Sequence, residues 1–85
     1  MENFKEILNK VAAIVADVAE CEVEDVQAES SLPNDLGIDS LMGLEILVRV
    51  EKEFGVKLGE EQIMLMDTPH NITQLILQTP AMVAA

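Results

Sequence analysis

The chain has 85 residues, enough for one small domain, and carries 16 acidic against 5 basic side chains for a net charge of −11. That balance argues against nucleic-acid binding through phosphate contacts and against adsorption to anionic membranes; it suits salt-sensitive meetings with basic patches on other proteins. One cysteine excludes an internal disulfide, no Cys/His cluster points to zinc, and with Phe4 and Phe54 the only aromatics the core falls to Ala, Val, Leu, Ile and Met.

The first element is an amphipathic helix. Phe4, Ile7, Leu8, Val11, Ile14, Val15 and Val18 recur at helical spacing. Asn3 stands at the N-cap with Glu6 in the capping-box position, so the helix is predicted at about 3–18. Residues 19–38 keep no period and read as a long loop, with room for a short helical turn. Val23, Val26 and Leu32 are its apolar anchors, which suggests that it packs across the helices.

A second long helix is expected at 40–54, capped by Asp39 and stopped by Gly55. Leu41, Leu44, Leu47, Val48, Val50 and Phe54 read as its wide apolar face. Met42, Glu45, Ile46, Arg49 and Glu53 fall on the other side, where two apolar residues mark a contact surface. A short third element opens at Gly59-Glu60-Glu61. Thr68-Pro69 then supplies a cap and a first-turn proline for a last helix at 69–78. Residues 80–85 read as a frayed tail behind a domain of residues 1–79. The fold class is all-α: a small four-helix bundle with a long loop between the first two long helices and a short third helix. No apolar run approaches the roughly 20 residues of a membrane span. Met1 to Lys5 lack the form of a signal peptide, so with a lone thiol the expected location is cytoplasmic.

Chemistry concentrates in Asp35-Leu36-Gly37-Ile38-Asp39-Ser40-Leu41. No G-x-S-x-G elbow surrounds Ser40, and the one histidine, His70, opens the last helix, so Ser40 lacks a base to make it a nucleophile. Cys21 lies between Glu20 and Glu22, which disfavour a thiolate. The spaced acidic loop of a calcium site is absent, and no metal site is expected. Read as a place of modification, Ser40 fits better. Its hydroxyl is expected in the first turn of a helix, where backbone N–H groups lack partners and favour a phosphodiester. Gly37 allows close approach, Asp39 caps the helix and offers a carboxylate to a partner enzyme's metal, and Leu41 gives an apolar docking point.

This heptapeptide resembles the phosphopantetheine attachment motif of acyl carrier proteins. The resemblance extends through Leu44-Glu45 and Glu51-Lys52-Glu53-Phe54-Gly55-Val56 to Thr68-Pro69, nearly the whole chain. It implies that a phosphopantetheinyl transferase moves 4′-phosphopantetheine from coenzyme A to Ser40. The arm's thiol then carries acyl groups as thioesters, and the carrier itself catalyses nothing. It also implies that the 40–54 helix meets acyl-transferring and acyl-processing enzymes through their basic docking patches. Glu45 and Glu51 stand at matching positions, and Met42, Ile46 and Arg49 belong to the same candidate surface. An acyl pocket would be lined by Leu44, Val48, Phe54, Ile63, Leu65, Met66, Leu75 and Ile76. A monomer follows from the need to be visited from several directions.

Met42 and Gly43 stand where housekeeping fatty-acid carriers have an acidic and then a hydroxyl residue, and Arg49 places a positive charge on the helix. These features look more like polyketide-synthase carriers and imply a specialised pathway. Two alternatives are an aminoacyl or peptidyl carrier, such as a D-alanyl carrier, and a helical interaction domain with Ser40 unmodified.

Overall fold

The computed structural model describes residues 3–79. The predicted tail at 80–85 lies outside them. Four α-helices follow in order: α1 (Phe4–Ala19), α2 (Leu32–Asp35), α3 (Ser40–Phe54) and α4 (Pro69–Gln78). Two 3₁₀ segments, Val23–Asp25 and Glu60–Leu65, flank the short helix and α3, and no strand occurs among the described residues.

Local chemistry sets the helix starts. Asn3 Oδ1 accepts the Glu6 N–H at 2.9 Å while Glu6 Oε1 accepts the Asn3 N–H at 3.0 Å, a complete capping box for α1. Ser31, Asp39 and Thr68 cap α2, α3 and α4 through their side chains, and α4 takes its first-turn proline as expected. The ends differ in kind. Gly55 closes α3 in the left-handed region at φ 65°, the conformation glycine reaches without strain. Glu20 closes α1 the same way at φ 58°, although a side chain disfavours it, by donating its N–H to Ala16 and Asp17.

α1 packs against both α3 and α4, and the 60–65 segment packs on α3. The core joins Ile7, Val11, Val15 and Val18 of α1 to Leu47 and Val50 of α3 and to Ile72, Leu75 and Ile76 of α4. The long loop belongs to this core. Val26, Leu32 and Ile38 are buried, whereas Val23 is exposed. Backbone bonds tie the loop to the far side of the domain: Leu32 N–H donates to Asp67 O at 2.9 Å and His70 N–H to Ala28 O at 3.0 Å.

The facing of α3 is a correction. Ile46, expected outside, is 0% exposed, while Leu41 and Val48, expected inside, are 76% and 42% exposed. Apolar residues stand at 41, 42, 44, 46, 47, 48 and 50, so they run almost around the helix and the pattern leaves its rotation open. Tertiary cover decides it. The buried set of Ile46, Leu47 and Val50 lies toward α1 and the 60–65 segment, leaving the Leu41 and Val48 side to solvent.

Candidate functional site

The motif is held by bonds at each of its turns. Ser31 Oγ accepts the Asn34 N–H at 3.3 Å, and Asp35 Oδ2 accepts the Ser31 N–H at 2.8 Å, so the motif's first aspartate closes α2 on itself. Gly37 then turns the chain at φ 68°, which a residue with a Cβ takes only with strain. Ile38 is buried and its N–H donates to Leu32 O at 2.9 Å, fixing the approach to α3. Asp39 Oδ1 accepts the Met42 N–H at 2.9 Å and its carbonyl accepts the Gly43 N–H at 2.8 Å.

Ser40 is the exposed first residue of α3. Of the four N–H groups that a helix start leaves unpaired, the Asp39 side chain satisfies that of Met42, and the Gly43 bond to the Asp39 carbonyl begins the regular helical ladder. Those of Ser40 and Leu41 face outward without an acceptor among the described residues. His70 does not serve as a base for Ser40. Its ring packs against that of Phe4, with centroids 5.2 Å apart and the planes tilted by 52°, and has Nδ1 4.0 Å from Glu29 and Nε2 3.4 Å from Gln74.

A cleft of about 230 Å³ opens beside Ser40. Asp39, Ser40, Gly43 and Ile46 form one wall, Ile63, Met64, Met66 and Asp67 the other, and Leu32, Pro33 and Ile38 close the end. Of the residues expected around an acyl pocket, Ile63 and Met66 are here. Leu44 and Phe54 are half-buried against the core, and Leu75 and Ile76 are inside it. Val48 and Leu65 are exposed and line no part of the cleft. Sequence reasoning missed Gly43, Ile46 and Met64. For Leu32 a signal existed, since it was an isolated apolar residue in a polar loop.

The expected partner face divides as well. Leu41 and Glu45 are exposed, Met42 is half-buried and Ile46 is buried. Arg49 bridges two helices, bonding to Asp17 of α1 and, at 3.1 Å, to Glu45 one turn before it. The hydrogen bond to Asp17 is the main cause that holds the Arg49 guanidinium above its ordinary pKa. Glu51 turns back into the domain, where its Oε2 accepts the buried Leu58 N–H at 2.8 Å. Among the described residues no group of three or more acidic, His or Cys side chains is placed to hold a metal, and no helix is long and apolar enough to cross a membrane.

The model of the phosphopantetheine attachment site family matches residues 9–76. The chain belongs to the acyl carrier protein family. It is 39% identical over 74 residues to the acyl carrier protein of Thermosynechococcus vestitus, covering 87% of this chain and 91% of that one. It is 48% identical over 50 residues to the polyketide-8 synthase acyl carrier protein 2 of Streptomyces avermitilis, covering 59% of this chain and 58% of that one. The solved acyl carrier protein of Enterococcus faecalis superposes with a TM-score of 0.76 at 25% identity, over 93% of this chain and all of that one. Acyl carrier proteins are carriers rather than enzymes, and their prosthetic group is 4′-phosphopantetheine. The residues present fit such a group: an exposed hydroxyl, two free N–H groups at a helix start, and an apolar cleft next to both.

Proposed function

We propose that this acyl carrier protein takes its 4′-phosphopantetheine at Ser40, through a phosphopantetheinyl transferase that uses coenzyme A, and serves a specialised pathway of the polyketide type. When bound, the group supplies a terminal thiol that holds an acyl chain as a thioester. The chain's own residues do the positioning. Asp39 fixes Ser40 on the first turn of α3, and the N–H groups of Ser40 and Leu41 favour the anionic linkage. The cleft offers the acyl chain an apolar wall away from water. Ser40 standing exposed on the rim of that cleft is the observation that carries the reading. The apolar lining favours an acyl cargo over an amino acid.

The pathway is read from the outer face of α3. Leu41 and Val48 are apolar and exposed there, and Glu45 is paired with Arg49. A partner meets less free negative charge on this helix than the net charge of −11 implies. Partner enzymes would therefore dock with a mixture of apolar and basic contacts. The carrier acts as a monomer in the cytoplasm, visited by successive acyl-transferring and acyl-processing enzymes.

The test is mass spectrometry of the purified chain after incubation with coenzyme A, magnesium and a phosphopantetheinyl transferase. One added phosphopantetheinyl group is expected on the wild type and none on Ser40→Ala. An unchanged wild-type mass would refute the attachment.

A further inference from the structure

We propose that Gly43 is a specificity-determining residue: its missing side chain leaves room in the cleft beside Ser40 for the carried acyl chain.

A glycine inside a helix lowers stability by about 1 kcal/mol relative to alanine, and nothing in the fold of this chain requires it. Its backbone is not left-handed, since the positive-φ glycines are Gly37 and Gly55. No backbone crowds it either. A Cβ at position 43 would meet Ile63 Cγ2 at 3.8 Å, an ordinary contact. Alanine therefore fits, and it would stabilise α3.

A longer side chain would remove space. Gly43 lies one turn after Ser40 on the same side of α3. Ile63 and Met64 face it across the cleft. A Cβ at Gly43 already reaches ordinary contact with Ile63 Cγ2, so the further atoms of a longer side chain take space from the cleft that both residues line. The cleft has about 230 Å³. An apolar protein cavity of roughly 150 Å³ already holds benzene. Its occupant is apolar by the chemistry of Ile46, Ile63 and Met66, and the group tethered beside the cleft is the one carried at Ser40. This inference rests on the carrier reading above.

The experiment uses wild type, Gly43→Ala, Gly43→Leu and Ile63→Phe, each compared with its own unacylated form bearing the arm. Two quantities are read: the gain in melting temperature when a hexanoyl group is placed on the arm, and the rate at which an added small thiol cleaves the thioester. Wild type is expected to gain several degrees and to resist the thiol several-fold better than free hexanoyl-pantetheine. Gly43→Ala raises the melting temperature before acylation and keeps part of the gain. Gly43→Leu loses the gain and the protection. Ile63→Phe fills the cleft from the opposite wall and loses both too, which decides the matter should Gly43→Leu not fold. Retention of the wild-type gain in Gly43→Leu or in Ile63→Phe overturns the inference. So does a wild type that gains nothing on acylation, or whose full gain is already present with the bare arm. Failure of the wild type to accept the arm at all is a separate result, and it refutes the carrier reading.

Discussion

Glu51 matches a family position read as a partner contact, yet its carboxylate is spent inside the domain. Replacing it by alanine removes the acceptor of the Leu58 N–H, a 2.8 Å bond. Leu58 is 2% exposed, so water does not readily replace the lost partner. Hydrogen bonds to charged groups contribute about 1.5–3 kcal/mol, and a domain of this size shifts by about 4–8 °C per kcal/mol, so Glu51→Ala should lower the melting temperature by roughly 6–24 °C. Glu51→Gln keeps an oxygen acceptor without the charge and should recover about half of the loss. Removing any carboxylate also relieves repulsion in a chain of charge −11, so Glu22→Gln is the control. Glu22 makes no side-chain cap bond, and its substitution should stay within about 0.5 kcal/mol of wild type. Urea unfolding and thermal melts on the three variants measure this. If Glu51→Ala is as stable as Glu22→Gln, or if glutamine is no better than alanine, the anchoring of the loop after α3 is wrong.

The rotation of α3 has an equally direct test. Ile46→Ala should cost about 2–5 kcal/mol in urea unfolding, and Leu41→Ala less than about 0.5 kcal/mol; the opposite order would restore the facing expected from sequence. Arg49→Gln releases the Asp17 and Glu45 carboxylates and adds a net negative charge to the proposed docking side. The KM of a phosphopantetheinyl transferase for this variant should fall at low salt and rise more steeply with added salt than for wild type. Identical salt dependence would show that Arg49 does not screen the face.

Much of the fold was legible because its boundaries are chemical. Asn3 with Glu6, Asp39, Gly55 and Thr68-Pro69 are local signals, and α3 and α4 begin and end where those residues placed them. The end of α1 had no such signal, since Glu20 takes the position glycine usually holds. The one-turn helix α2 was hidden for a different reason. Ser31, Pro33 and Asn34 read equally well as a turn, and its second bond, from the Ser31 N–H to Asp35, is invisible without coordinates. At the site, the exposed position of Ser40 on the first turn of α3 was readable from the motif. The cleft was not, because its walls come from segments far apart in sequence. Ile46 was misplaced by a helix that is apolar on nearly every side. Glu51 and Arg49 announced charges, but only the structure gives their partners: one bonds a backbone N–H, the other two carboxylates.

The side-chain caps have a mechanical consequence. Each helix start is secured by the residue just before it, so α1, α3 and α4 satisfy part of their first-turn N–H groups without help from one another. The 60–65 segment is built differently, with the tighter and poorer bonds of a 3₁₀ turn: Gln62 N–H to Gly59 O at 2.9 Å and Met66 N–H to Ile63 O at 3.0 Å. It forms one lip of the cleft while α3 forms the other. Of the two lips, the one on the 60–65 side thus has the weaker backbone bonding. On the proposed carrier reading, a longer cargo would displace this short turn before it disturbed α3.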